Sequence, residues 1–274
     1  MSAKKVLVTG GFDQIKSPHV RFLEQASKFG PLHVLLWSDE LVRQLDGAFP
    51  KFPQEERGYI LNSIRYVTHV TVVDEIDTRN QIPDVENLQP EIWAEYESDY
   101  SPHRMQYCAA RGIKYSIISK VDMNGYPPLP SGDKVPSSRK KVLVTGSFDW
   151  LHSGHVRFFE ETSALGDLYV VVGHDANIHL LKGDGHPMFS QDERGYMVQS
   201  IRFVKRTLIS SGHGWMDGEP EIEEIKPHIY AVNQDGDKPE KRKFCEEHGI
   251  EYVVLKRIPK RGLPRRESTL LRGF

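Results

Sequence analysis

The chain has 274 residues, enough for one large or two ordinary domains. Its 36 Lys and Arg against 38 Asp and Glu leave a formal net charge of -2, which excludes a global electrostatic pull toward nucleic acid or an anionic membrane. The two cysteines, Cys108 and Cys245, are too few and too far apart for a disulfide framework or a cysteine metal site, and no apolar run approaches the roughly 20 residues of a membrane helix.

In chain order, Met1 to Lys5 leads straight into an apolar run with no signal-peptide core, so a cytoplasmic location is expected. Residues 4–24 then return later: they align without gaps on 140–160 with 15 of 21 positions identical, and 54–67 align on 191–204 with 9 of 14. Cys108 and Gly112 recur as Cys245 and Gly249. Self-similarity at this level marks a whole domain present twice. Residues 122–139, rich in Pro, Gly and Ser, continue neither a helix nor a central strand and read as a linker between a first domain at 1–121 and a second at 140–274. Within the second copy, short apolar runs at 142–145, 168–173, 207–209, 229–232 and 252–255 alternate with helical stretches. The alternation predicts an α/β fold of two tandem Rossmann-like domains, each a parallel sheet with helices on both faces. In such sheets ligands sit at the carboxyl ends of the strands, where the strand order reverses.

The loop after the first strand of the second copy lands there. It reads Gly146-Ser147-Phe148-Asp149-Trp150-Leu151-His152-Ser153-Gly154-His155 and leads into a helix with Val156 and Phe159 at helical spacing. Ser153 is the expected N-cap, which places His155 in the first turn, where unpaired N–H groups and the helix dipole favour an anion. His152 stands three residues earlier, so both imidazoles can face one phosphate. Gly154 has no Cβ to hold a phosphate-bearing ligand away from the backbone. An isolated His-x-Gly-His is as often a pair of loop histidines capping a helix. The longer string following a strand carries the nucleotide reading.

That string resembles the His-x-Gly-His signature of the cytidylyltransferase-like nucleotidyltransferases. The resemblance implies that Gly146, Ser147, Phe148 and Gly154 contact the nucleotide, and that His152 and His155 hold the triphosphate and stabilise the transition state. It also implies a phosphate-binding lysine ahead of the Glu193-Arg194 pair, which falls on Lys182 in a glycine-flanked loop. Toward the C-terminus, Arg265-Arg266-Glu267-Ser268-Thr269 resembles the family's second signature, an arginine followed by Ile-Ser-Thr or Ser-Ser-Thr at a helix start. Ser268, Thr269 and either Arg265 or Arg266 then become phosphate ligands. Two departures mark this segment: Glu267 takes the usual apolar position, and Leu263 stands at the family's arginine spacing. Trp215, in the glycine-rich loop 210–218, and Asp235, after the fourth strand, are candidates for the acceptor. Asp149 is expected to orient its loop, and the Glu193-Arg194 pair to hold a helix start. Mg²⁺ is expected on the nucleotide phosphates; His174, His179, His186 and His213 show no ligand spacing and read as surface or acceptor-pocket residues.

The first copy has Lys16 where the second has His152, Pro18 for Gly154 and Asp46 for Lys182, and keeps only His19. Pro18 removes an N–H and adds a ring where close approach is needed. This copy therefore reads as degenerate, with a structural or homodimer-forming role; a retained regulatory site is the sharper alternative. The tandem arrangement is similar to that of ethanolamine-phosphate cytidylyltransferases, which implies CTP as donor and a small phosphorylated alcohol or sugar as acceptor. Two other readings stand beside it: an ATP-dependent adenylyltransferase, which shares the signature, and a non-catalytic nucleotide sensor or scaffold.

Overall fold

The computed structural model describes residues 4–271 except Asn87 and Lys134, with the backbone alone described at Thr269 and Leu270. The chain divides into two units, Met1–Tyr126 and Pro127–Phe274. In the first, β1 (Val6–Gly10), α1 (Ser17–Ser27), β2 (Leu32–Trp37), α2 (Asp39–Asp46), α3 (Gln54–Ser63), β3 (Val67–Val73), β4 (Ile92–Tyr96), α4 (Pro102–Ala110) and β5 (Lys114–Ile118) form a parallel sheet of order β3-β2-β1-β4-β5. The second runs β6 (Lys141–Gly146), α5 (Ser153–Leu165), β7 (Asp167–Val172), α6 (Asp175–Lys182), α7 (Gln191–Gln199), β8 (Val204–Ile209), α8 (Glu219–Ile225), β9 (Ile229–Asn233), α9 (Pro239–Glu247) and β10 (Glu251–Leu255), with order β10-β9-β6-β7-β8, also parallel. Read outward from the first strand of each unit, the two orders are the same. The α/β, doubly covered architecture expected from the alternating runs is the one observed.

The central strands read as continuous apolar runs because helices cover both of their faces. Val142, Leu143 and Val144 of β6 are fully buried, and so are Val156 and Phe159, one turn apart on α5. Burying a side chain of this size stabilises the fold by about 1.5–3 kcal/mol. The residue that follows α5 must be a glycine: a Cβ on Gly166 would lie 2.1 Å from the Lys140 carbonyl oxygen. Gly30 meets Lys4 in the same way at 2.0 Å. Neither approach leaves room for any side chain.

What positions a ligand is the reversal of strand order. β6 pairs with β7 on one side (Val142↔Leu168) and with β9 on the other (Val142↔Ile229), so the helices that follow β6 and β9 leave a crevice above the seam between them. Among the described residues no helix is long and apolar enough to cross a membrane. Cys108 and Cys245 are both buried and unbridged, on α4 and α9.

Candidate active site

The loop after β6 turns at Phe148, whose φ of +47° is a backbone conformation that a bulky residue rarely adopts. The turn tucks the ring against Gly146, where a Cβ would lie 2.9 Å from Phe148. Phe148 is buried and meets His155 edge-on at 5.3 Å and Phe159 at 5.1 Å. Gly146 and Phe148, expected against the nucleotide, therefore work beneath the site: the glycine admits the ring, and the ring props His155. Two further residues tie the loop down. Asp149 accepts from the backbone N–H groups of Met188 (2.7 Å) and Phe189 (3.1 Å), with His186 at 3.3 Å on its other oxygen. Buried Arg194 donates to the carbonyls of Phe189, Ser147 and Gly173 at 2.6–2.9 Å and to the Asp175 carboxylate at 2.7 Å.

His152, not Ser153, is the N-cap of α5: its Nδ1 accepts from the Gly154 N–H at 3.1 Å. Gly154 serves this cap as well. Its amide is engaged by the cap, and a Cβ on it would lie 2.9 Å from the imidazole, so the missing side chain makes room for His152. The His152 and His155 rings stack with centroids 4.0 Å apart and planes 23° from parallel. Burial, and after it the charges of Arg257 and Arg266, pushes His152 down to about 3. His155 is pushed well below its ordinary value, first by burial and then by His152, Arg257 and Lys182. Both imidazoles are thus neutral at pH 7, and positive charge at the site comes from other side chains.

Neutrality fixes the proton. A neutral imidazole carries one N–H, and the Nδ1 of His152 is an acceptor, so its Nε2 is the donor. That Nε2 is buried without a hydrogen-bond partner, and so is the Nδ1 of His155, whose ring bonds the Trp150 backbone. A buried polar group left unpaired costs about 1–3 kcal/mol. An oxyanion placed over the Nε2–H would remove that cost at His152.

Three cations stand near the pair, one from α6 and two from the segment after β10. Lys182 is the last residue of α6 rather than part of the loop beyond it, and its ammonium donates to the Ser147 hydroxyl at 2.7 Å. Arg257, just past β10 with a φ of +52°, pairs with Asp235 and reaches the Arg266 carbonyl at 3.4 Å. Asp235, an acceptor candidate from the sequence, anchors this arginine. Arg266 acts on His152, whereas Arg265 is exposed and pairs with Glu267 at 3.4 Å. Ser153, Gly154, Arg257 and Arg266 line one cavity between α5 and the segment after β10. The hydroxyl of Ser268 reaches the Trp150 carbonyl at 3.5 Å from a single 3-10 turn, Ser268–Leu271, in place of a helix start. The Thr269 side chain lies outside the described residues. Trp215 is 63% exposed on the turn Gly214–Met216. No spacing in the sequence singles out Arg257; a lone Lys-Arg after a strand is its only signal.

A search against family models matches the cytidylyltransferase-like family over residues 143–271. An FAD synthase from Methanosarcina mazei is 36% identical over 142 residues, covering 51% of this chain and 79% of that protein. The chain belongs to the cytidylyltransferase-like nucleotidyltransferase family. FAD synthases from Aciduliprofundum boonei (37% identical, 42% of this chain, 76% of that protein) and Methanoculleus marisnigri (36% identical, 43% and 77%) are similar to it as well. This nucleotidyltransferase thus carries, at the reversal of strand order in its second copy, two neutral imidazoles with unpaired nitrogens ringed by Lys182, Arg257 and Arg266.

Proposed function

We propose that the second copy transfers adenylyl from ATP to a phosphomonoester. An acceptor phosphate oxygen attacks the α-phosphorus, the bond from that phosphorus to the bridging oxygen of the β-phosphate breaks, and its electron pair leaves with pyrophosphate. The acceptor phosphate is already ionised at neutral pH, so no enzyme nucleophile is needed. Alignment and charge stabilisation remain for the protein. The carrying observation is the buried, partnerless Nε2–H of His152, a preset donor for a phosphate oxygen. Lys182, Arg257 and Arg266 offset the charge growing on the leaving pyrophosphate, and His155 and Ser268 flank it.

The choice of ATP over CTP rests on the relatives. Each of the three named above is an FAD synthase, and FAD is by constitution AMP and flavin mononucleotide (FMN) joined by a phosphoanhydride bond between their two phosphates. This supports the adenylyltransferase reading over the CTP donor and phosphoalcohol acceptor suggested by the tandem arrangement. FMN is accordingly the acceptor to test first. The residues present fit a Mg²⁺ that arrives on the nucleotide: Asp149 spends its oxygens on backbone N–H groups and His186, and among the described residues no cluster of three His, Cys, Asp or Glu could hold a metal. When bound, Mg²⁺ would neutralise phosphate charge between donor and leaving group.

The test is pyrophosphate release with ATP or CTP against FMN and a set of phosphorylated alcohols. Turnover with ATP and FMN is the expected result. Turnover with CTP alone would overturn the donor assignment, and nucleotide binding without turnover for any acceptor would favour the sensor.

A further inference from the structure

The two copies treat the cation at one position differently. In the first, Arg104 on α4 lies over the Trp93 ring at 5.3 Å and is ion-paired with Glu95 of β4. The equivalent in the second is Lys241 on α9, over the Tyr230 ring at 5.6 Å, but the position of Glu95 is taken by buried Val232. Lys241 is half-buried, and among the described residues its ammonium makes no hydrogen bond or ion pair. Asp217 acts on it through space, with Lys238 opposing, while one oxygen of Asp217 accepts from the Ser210 hydroxyl at 2.7 Å. A cation taken partly out of water without its carboxylate is costly unless an anion arrives to meet it.

Lys241 sits on the seam already described. The Tyr230 hydroxyl bonds that of Thr145 at 2.7 Å, and Thr145 leads directly into Gly146 and Ser147, where Lys182 docks. Beside Lys238 stands an aromatic platform. Trp215 is exposed yet held in place, because buried Asn177 clamps the backbone of Gly214 from both sides, donating to its carbonyl at 3.0 Å and accepting from its N–H at 2.7 Å. The Lys238 ammonium lies 5.4 Å from the Trp215 ring. An exposed indole on a fixed turn offers a stacking face at little cost in side-chain entropy.

We propose that Lys241, Lys238 and Trp215 form the acceptor subsite and select a phosphomonoester that carries a planar aromatic group, Lys241 meeting the phosphate that Glu95 replaces in the first copy. This rests on the nucleotidyl-transfer reading of the same crevice. The test titrates the full chain with FMN and with riboflavin, which has the same ring and no phosphate, following flavin fluorescence. The wild-type chain should bind FMN at least tenfold more tightly than riboflavin. Lys241→Met, which keeps the stem packed on Tyr230, should erase that ratio, and Lys241→Arg should keep it. Val232→Glu, which builds in the carboxylate of the first copy, should erase it too. A wild-type chain that does not discriminate, or a Lys241→Met variant that still does, overturns the proposal. If the ratio behaves as expected but FMN is never adenylylated, the subsite stands and the reaction assignment falls. If FMN is adenylylated with an unchanged KM in Lys241→Met, the subsite falls and the reaction stands.

Discussion

At the head of α1 the backbone N–H of Lys16 bonds the His19 Nδ1 at 3.1 Å, whereas at the head of α5 the His152 ring takes the Gly154 N–H and leaves its other nitrogen unpaired. The same contrast recurs around each crevice. Asp46 ends α2 in an ion pair with Arg79 at 2.5 Å, where Lys182 ends α6 against Ser147. Arg104 has Glu95, where Lys241 faces Val232. Beneath these differences the frames agree. Phe12 and Phe148 share a φ of +47°, Asp13 holds the N–H groups of Lys51 and Phe52 at 2.9 Å as Asp149 holds those of Met188 and Phe189, and Arg57 grips the carbonyls of Phe52, Gly11 and Trp37 as Arg194 grips its three. The loops are thus held by one set of residues and the chemistry by another. The second set can be exchanged for internally paired side chains without disturbing the first.

That separation is most exposed where the frame itself is cut. Arg57→Ala and Arg194→Ala should each destabilise their own unit by about 3–5 kcal/mol, because each leaves several buried carbonyls and a carboxylate without a cation. Urea unfolding followed separately in the two units reads this, and a large effect in one copy alone would break the equivalence. Next comes the donor. His152→Ala should lower the rate of pyrophosphate release by about 10²–10³, as removal of one preset transition-state donor typically does, while Lys16→Ala leaves it unchanged. A rate loss from the Lys16 change would mean that the first crevice takes part.

Acid should separate the copies more gently. The folded His152 titrates at about 3 and the unfolded one near 6.5, so the unfolded chain takes up the proton first as the pH falls. The contribution is complete above about pH 6.5 and is lost toward pH 3 at about 1.4 kcal/mol per pH unit. His152→Gln should flatten that slope in thermal melts of the second unit; an unchanged slope would show that the imidazole is not protected from protonation. The smallest effect concerns the two arginines near the C-terminus. Arg266→Ala should raise the KM for ATP severalfold, whereas Arg265→Ala, at an exposed residue paired with Glu267, should stay within about 0.5 kcal/mol of wild type. Equal effects would dissolve the distinction between them.

The duplication, the strands and the place of the His152–His155 loop were legible because they rest on local signals: apolar runs of strand length, a Pro- and Gly-rich break, and a loop directly after a first strand. What was not legible depends on tertiary burial. Capping rules weigh short oxygen-bearing side chains, so Ser153 looked like the cap although the His152 ring fills that role. The neutrality of the two histidines is invisible in the string His-Ser-Gly-His, which does not report how far their rings are withdrawn from water. Arg257 could not be found, since its place at the site depends on a left-handed backbone with no signature in an arginine. Lys241 has a lysine's usual surface appearance until Val232 is set beside Glu95. The sequence points to CTP, against the relatives, for a simpler reason: ATP and CTP present the same triphosphate to the readable residues, so only the tandem arrangement bears on the base.

The bond from the Gly154 amide to the His152 ring has one more effect. Because it closes the first turn of α5 and at the same time dictates which nitrogen keeps the hydrogen, winding the helix and arming the donor are a single event. A chain that has folded here has no idle tautomer to wait in, and a nucleotide arriving at the crevice meets a group already aimed.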